Sequence, residues 1–338
     1  MFCINGRFAK LHITGIERYA REIVRQLPCD SYRLIEPRRA LYGAQGMLWE
    51  QTVLAAKVSS SLLWSPANLG PIVTPNHVVT VHDLSVCTHP EWFARQITWA
   101  YRAIVPVLTQ RALHILTDSS AMKADIVQML GVDPMKISVV YPGVDLAALR
   151  CLAASVAPDV HSPFVLAYAG SDPRKNVARS VAAWRILRRT HPGLELHMFG
   201  APSSVFNCAG QVSETDGIRV LGYLSEQVLA AKYRDAALLL YPSLYEGFGL
   251  PPLEALAFGT PSVVSDIPIF HEILGPGAFF ADPMSADAIA AAAEMALTDS
   301  GAREKVRSAG SEIVGRYTWQ TAAASLRAIM EAMPTTWK

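Results

Sequence analysis

The sequence predicts an α/β protein made of two doubly wound parallel-sheet domains, and three observations carry that expectation. Short apolar runs alternate with amphipathic helical stretches, the βαβα pattern of parallel sheets. The alternation occurs twice, separated by Leu146–Pro163, where Pro158, Pro163 and scattered Ala and Ser read as a connection. Several runs also end in a glycine-bearing loop that opens a helix, the unit whose helix N-terminus attracts phosphate in open sheets. The 338 residues suffice for two domains, 1–150 and 151–317, each with its own core. A hydrophobic content of 51% against 17% charged residues excludes a disordered chain.

In the first half, Phe2–Ile4 starts a strand that Asn5-Gly6-Arg7 breaks. Thr14 is placed to cap the helix Glu17–Leu27, whose Tyr19, Ile23, Val24 and Leu27 recur at helical spacing. Met47–Val58 reads as a helix, Leu62–Ser65 as a short strand and Pro66–Asn76 as a loop. Val78–His82 is a buried strand that delivers His82 to the carboxyl edge of a sheet, where open α/β sheets bind ligands; a satisfied structural histidine is the plainer alternative. Asp83 either orients that histidine or caps the next turn. A helix from about Arg95 to Leu113 follows. Trp92, Phe93, Trp99 and Tyr101 in and before it either pack inside or face an acceptor or a membrane. Strand His114–Asp118, helix Ser120–Leu130 closed by Gly131, and strand Ile137–Tyr141 lead to Pro142-Gly143-Val144-Asp145.

In the second half, strand Phe164–Ala169 runs into Gly170-Ser171-Asp172-Pro173-Arg174-Lys175-Asn176 and helix Val177–Arg188. Adjacent Arg174 and Lys175 after a parallel strand form a cationic cradle suited to a diphosphate, or a solvated pair. Strands Glu195–Gly200 and Ile218–Leu221 follow, then Gly222-Tyr223-Leu224-Ser225 and helix Glu226–Arg234. Ala236–Tyr241 is an interior strand, and Gly247 and Gly249 permit a tight turn behind it. Pro251 and Pro252 suit the first turn of a helix that stops at Gly259-Thr260-Pro261, before strand Ser262–Ser265. Glu246 precedes this loop, and Glu254 is expected in the first helical turn. No His, Cys or third carboxylate accompanies them, so the pair does not suit a metal. Ser285–Leu297 and Tyr317–Met333 read as helices.

Formal net charge is +1, which gives no pointer to nucleic acid. Residues 1–150 hold 15 Lys and Arg against 11 Asp and Glu, and the remainder 15 against 18. The basic excess of the first half suits an anionic membrane surface. Five cysteines without a C-x-x-C pair read as buried free thiols in a reducing compartment. With no apolar run of spanning length and no signal-peptide layout, the expected location is cytoplasmic.

The stretch E-G-F-G-L-P-P-L-E, with G-T-P-S-V-V-S-D after it, resembles the E-x7-E signature of the retaining glycosyltransferases of family 4. The openings N-G-R-F…I-T-G-I-E-R-Y-A, V-V-T-V-H-D-L and A-G-S-D-P-R-K-N are similar to other parts of the same family. The resemblance implies the GT-B fold, two Rossmann-like domains facing a central cleft: an N-terminal acceptor domain, with a terminal helix 318–338 packing back onto it, and a C-terminal nucleotide-sugar domain. It implies that Glu246 binds hydroxyls of the donor sugar and Glu254 those of the ribose, while Gly247, Phe248, Gly249 and Leu250 offer backbone N–H groups to sugar and phosphate. Lys175 and Arg174 would neutralise the departing diphosphate, Gly15 would approach it, His82 would contact the donor sugar or reaction centre, and Tyr223 and Leu224 would receive the nucleobase. Many members carry an arginine where this chain has Ser171, a role that Arg174 would take over.

The implied activity is retaining transfer of a hexose from a nucleoside diphosphate sugar, without a metal or other cofactor. The N-terminal opening and L-W-S-P…N-L-G-P look like bacterial polysaccharide mannosyltransferases. GDP-mannose is therefore the first donor, and UDP-glucose, UDP-galactose and dTDP-rhamnose are the alternatives. The implied partners are a lipid-linked or oligosaccharide acceptor of cell-surface polysaccharide or O-antigen synthesis, with peripheral contact at the inner membrane face and no nucleic acid. Rival classes are a GT-B epimerase, for which no array of catalytic acids stands out, and a nicotinamide dehydrogenase, whose G-x-G-x-x-G is missing after the first strand. A non-catalytic sugar-nucleotide binding protein is the third.

Overall fold

A computed structural model describes residues 1–12, 14–58, 61–159, 162–200, 206 and 213–334. Two compact units divide the chain. The first holds Met1–Pro90, Arg95–Gly143 and the chain from Tyr317 onward; the second holds Glu91–Ala94 and Val144–Arg316. Each is built on one six-stranded, all-parallel sheet, the architecture that the doubled βα alternation predicts.

In the first unit β1 (Phe2–Asn5), β2 (Tyr32–Ile35), β3 (Leu63–Ser65), β4 (His77–Val81), β5 (His114–Thr117) and β6 (Ile137–Val139) lie in the order β2-β1-β3-β4-β5-β6. Ile4 pairs with Leu34 on one side and Trp64 on the other, so the winding reverses between β1 and β3. In the second unit β7 (Phe164–Tyr168), β8 (Glu195–Phe199), β9 (Ile218–Gly222), β10 (Leu238–Tyr241), β11 (Ser262–Ser265) and β12 (Phe279–Ala281) lie in the order β12-β11-β10-β7-β8-β9. Here the reversal falls between β7 and β10, whose Leu166 and Leu239 are partners. Such reversals open crevices at the carboxyl ends of the strands, and ligands occupy them in this fold class. The central strands are buried on both faces because helices cover both sides, which is why they read as unbroken apolar runs.

Several elements depart from the sequence expectation. Leu146–Pro163 is not a plain connection: Leu146–Ala154 is a helix, capped by Asp145, whose carboxylate accepts from the Ala148 N–H at 2.9 Å. The expected helix Met47–Val58 starts earlier, at Gly43, and contains a wide π-helical turn, Glu50–Leu54, between Gly43–Trp49 and Ala55–Val58. The helix after Gly249 begins at Leu250, so Glu254 is its fifth residue rather than a first-turn acid, and helix-dipole complementarity no longer accounts for it. The short strands β2 and β12, and helices Pro268–Leu274 and Ser300–Arg316, carried no legible pattern. The cysteines are not uniformly buried: Cys3 is, Cys29 and Cys151 are exposed, and Cys208 lies outside the described residues.

The terminal helix Trp319–Ala332 packs on the helix Gly15–Gln26 of the first unit. Trp319 is buried edge-on to Tyr19, with ring centroids 6.4 Å apart. Gly143 permits this approach, since a Cβ there would sit 2.2 Å from the Thr318 backbone. Among the described residues, no helix is long and apolar enough to cross a membrane.

Candidate functional site

The reversal in the second sheet gathers the richest polar constellation. Asp172 caps the turn Pro173–Lys175 by accepting from the Arg174 N–H at 3.0 Å. Asn176 then takes the left-handed conformation, φ 56°, which asparagine tolerates better than most residues. Its buried amide donates to the Pro242 carbonyl at 3.0 Å and the Pro283 carbonyl at 2.7 Å. The loop after β7 is thereby pinned to the loops after β10 and β12, and the Leu244 N–H adds a bond to the Arg174 carbonyl at 2.7 Å. Gly249, at φ 93°, turns the second loop into its helix where an added Cβ would lie 2.5 Å from the Phe270 ring.

This scaffold brings Lys175 and Glu246 together. Lys175 Nζ donates to Glu246 Oε1 and to the Tyr241 hydroxyl, both at 2.5 Å, and lies 4.8 Å from the centroid of the Tyr241 ring. Both side chains are largely shielded, at 14% and 9% exposure, so removing either partner would leave a poorly solvated charge behind. Burial and then the Glu246 charge raise the Tyr241 pKa well above its usual value, so the phenol stays neutral beside the ammonium. Arg174 is engaged differently. Its Nε and Nη2 both donate to Asp172, at 3.0 and 2.7 Å, and its guanidinium stacks 5.7 Å from the Phe206 centroid. The Asp172 carboxylate offsets its charge, as Glu246 offsets that of Lys175.

Glu254 is a carboxylate only 2% exposed, while Gly247 and Phe248 lie buried in the loop before its helix. Tyr223, 71% exposed, and half-buried Leu224 follow β9 at the sheet's outer edge, two strands from β7. Gly222, at φ 67°, turns the chain there, and Ser225 caps helix Glu226–Asp235.

The first unit holds the other two expected residues. Gly15 opens helix Gly15–Gln26, where the Glu17 carboxylate accepts from the Thr14 N–H at 3.1 Å. A Cβ at Gly15 would meet nothing within 4 Å, so internal packing does not require glycine there. His82, just past β4, is buried with both ring nitrogens engaged: Nδ1 lies 2.6 Å from Asp118 and Nε2 2.7 Å from the Pro66 carbonyl, with Tyr19 edge-on at 4.7 Å. Burial favours the neutral ring, but the Asp118 charge and the two hydrogen bonds outweigh it and raise the His82 pKa. Asp118 is raised as well, its burial costing more than His82 returns. Asp118, from the end of β5, is thus the partner of His82. Asp83 instead caps the following turn, accepting from the Ser85 N–H at 2.9 Å. The aromatic group for which the sequence leaves packing and an outward-facing role both open is split. Phe93 is buried, 5.2 Å from the Phe206 ring centroid, whereas Trp99 is 78% exposed.

Sequence reasoning missed Tyr241, Asn176, Asp172 and Asp118. Tyr241 and Asp118 stand at strand ends, the signal that singled out His82; Asp172 and Asn176 flank the Pro-Arg-Lys turn, where such residue types commonly cap.

Residues 153–313 match the family model described as "Glycosyl transferases group 1", and residues 59–148 the model "Glycosyltransferase Family 4". The chain is 30% identical over 211 residues to the O-antigen chain mannosyltransferase RfbU of Salmonella typhimurium, 62% of this chain and 57% of that protein. The chain therefore spans little more than half of that relative's length. It is 26% identical over 303 residues to the O-antigen chain mannosyltransferase B of Escherichia coli, 86% of this chain and 76% of the other. In fold it is similar to the sucrose-phosphate synthase of Thermosynechococcus elongatus, with a TM-score of 0.75 at 17% identity over 97% of each chain. Strand orders, the loops around Lys175 and Glu246, and matches reaching from residue 59 to residue 313 agree: the chain belongs to glycosyltransferase family 4 and has the GT-B fold.

Proposed function

We propose that the chain is a retaining hexosyltransferase that uses a nucleoside diphosphate sugar, GDP-mannose in the first instance. Its acceptor would be a lipid-linked or oligosaccharide glycan of cell-surface polysaccharide synthesis. The observation that carries this reading is the buried Lys175–Glu246 pair at the strand reversal of the second sheet, beside the start of helix Leu250–Ala257. A cation and a helix N-terminus suit a diphosphate, and a carboxylate suits sugar hydroxyls. The O-antigen mannosyltransferase relatives favour mannose.

In this reading the C1–O bond to the diphosphate breaks as the acceptor oxygen bonds to C1 on the same face. The acceptor proton passes to the departing phosphate. Lys175 and the N–H groups of 247–250 take up the charge that develops on the leaving group, so no metal is required. Arg174, restrained by Asp172, adds less. Glu246 orients the hexose and Glu254 the ribose, Tyr223 and Leu224 meet the base, Gly15 leaves room for the diphosphate, and His82 exchanges its Pro66 carbonyl contact for a sugar hydroxyl. The exposed face of helix Arg95–Arg111 carries Arg95, Trp99 and Arg102, which favours peripheral contact with an anionic inner membrane surface from the cytoplasmic side.

Calorimetric titration with GDP, UDP and dTDP in EDTA tests the reading. GDP is expected to bind tightest, with chelation leaving both binding and turnover unchanged. UDP preference would overturn the mannose assignment, and failure of all three would overturn the transferase itself.

A further inference from the structure

The reversal of the first sheet, between β1 and β3, carries a second polar cluster to which neither the family motifs nor the reading above gives a role. Asn5 ends β1 and Ser65 ends β3, and the Asn5 amide lies 3.4 Å from the Ser65 hydroxyl. The same amide donates to Glu50 Oε1 at 2.9 Å, and Arg7 Nε donates to that oxygen, also at 2.9 Å. Glu50 is 1% exposed, sits in the π-helical turn, and leaves its second oxygen, Oε2, with no hydrogen-bond partner among the described residues. Wide turns of this kind occur often at functional sites. Arg7 keeps 14% of its side chain exposed, and no described residue accepts from Nη1 or Nη2. Gly46 makes room for the guanidinium, because a Cβ there would lie 2.5 Å from Nη1. Burial, modulated by the charges of Arg7, Asp83 and Glu50, pushes the nearby Tyr101 hydroxyl up to about 12, so it stays a neutral donor.

We infer that Arg7, held at Nε by Glu50 and bounded by Gly46, presents its Nη1–Nη2 fork to an oxyanion of the acceptor at the crevice of the first sheet. The fork offers donors and no acceptor, in the planar spacing that matches a phosphate or carboxylate. Glu50 acts as a positioning residue: a buried carboxylate with two donors on one oxygen locks Nε and turns the free edge outward. The crevice between β1 and β3 is where a doubly wound sheet takes its ligand. The assignment of that ligand as the acceptor rests on the transferase reading, in which the second sheet takes the donor. Two sources share this chemistry, the phosphate of a lipid-linked acceptor and the carboxylate of an acidic sugar.

The test titrates the protein, saturated with its preferred nucleoside diphosphate, with geranyl diphosphate in one arm and glucuronate in the other. Saturable binding of either probe is expected, weakened roughly 10-fold or more in Arg7→Gln and in Gly46→Ala, with nucleotide affinity unchanged in both. Geranyl diphosphate binding alone assigns a phosphate, and glucuronate binding alone a carboxylate. Equal probe affinity in wild type and both variants, or no binding of either probe, overturns the inference. Arg7→Gln strands a buried carboxylate and risks misfolding, so Gly46→Ala, which retains the ion-pair partners and presses chiefly on Nη1, with lighter contacts to the Leu41 carbonyl and Arg7 Cδ, then decides it. A protein that binds no nucleotide but loses probe affinity in these variants would sink the transferase reading and leave Arg7 an anion site.

Discussion

Lys175 and Glu246 are each other's partners in the free protein, which changes what their substitution should do. From sequence alone, Glu246→Ala would cost turnover and leave nucleotide binding intact, because the carboxylate serves only the sugar. The 2.5 Å ion pair means that the same change also releases Lys175. Affinity for free nucleoside diphosphate is therefore expected to hold or rise in Glu246→Ala while turnover collapses. Lys175→Ala should weaken nucleotide binding by about 1.5–3 kcal/mol, the range for hydrogen bonds to charged groups. Calorimetry on both variants checks this, and a parallel loss of affinity in the two would count against the arrangement. A second prediction concerns His77, buried at the start of β4 with Nε2 2.8 Å from the Ser65 hydroxyl and its pKa lowered by burial to about 3. Its unfolded value is about 6.5, so the unfolded chain binds the extra proton. The stability linked to His77 is full above pH 6.5 and is lost as pH falls from there toward 3, at about 1.4 kcal/mol per pH unit. His82 and Asp118, both raised, contribute with the opposite sign. Comparing wild type with His77→Gln in urea at pH 7, 6 and 5 isolates the His77 slope, which the variant should lack.

At the scale of elements, the site depends on how three loops of the second sheet are tied together. Asn176 satisfies the Pro242 and Pro283 carbonyls while holding a left-handed backbone that opens helix Val177–Leu187. Asn176→Gly keeps the conformation and removes both donors; Asn176→Ala removes the donors and strains the backbone. The glycine variant should lose about 2–3 kcal/mol of stability for two unmet buried carbonyls, and the alanine variant at least 1 kcal/mol more. Both should loosen Lys175 against Glu246 and weaken nucleotide binding. Thermal melts together with calorimetry read these effects, and full nucleotide affinity in the glycine variant would show that the pin does not position the pair.

At the scale of the molecule, the last helix belongs to the first unit although the second unit separates them in sequence. Trp319 touches Tyr19, and Tyr19 touches His82, so the terminal helix supports the carboxyl edge of the first sheet through two ring contacts. Trp319→Ala should cost about 3–5 kcal/mol, as truncation of a buried aromatic does. It should also lower turnover by more than it lowers nucleotide affinity, because the Lys175–Glu246 pair lies in the other unit. Denaturation curves and calorimetry would separate the two effects, and a stability unchanged by the substitution would refute the packing role.

Much of this protein was legible in its sequence, for local reasons. Periodicity marked the strands and most helices, because a doubly covered parallel strand must be apolar throughout and a surface helix only along one stripe. The glycines and prolines of 247–252 marked the loop, since few other residues allow that backbone. β2 escaped because only Ile35 of its four residues is buried, so it shows no apolar run, and Leu146–Ala154 escaped because alanine-rich helices resemble linkers. The partners of the site were decided by tertiary structure alone. Glu246 lies 71 residues from Lys175, Asp118 lies 36 from His82, and Glu50 lies 43 from Arg7. No local rule connects such pairs. The order in which strands lie in each sheet brings those distant strand ends and loops together, because pairing makes strands far apart in sequence neighbours in space.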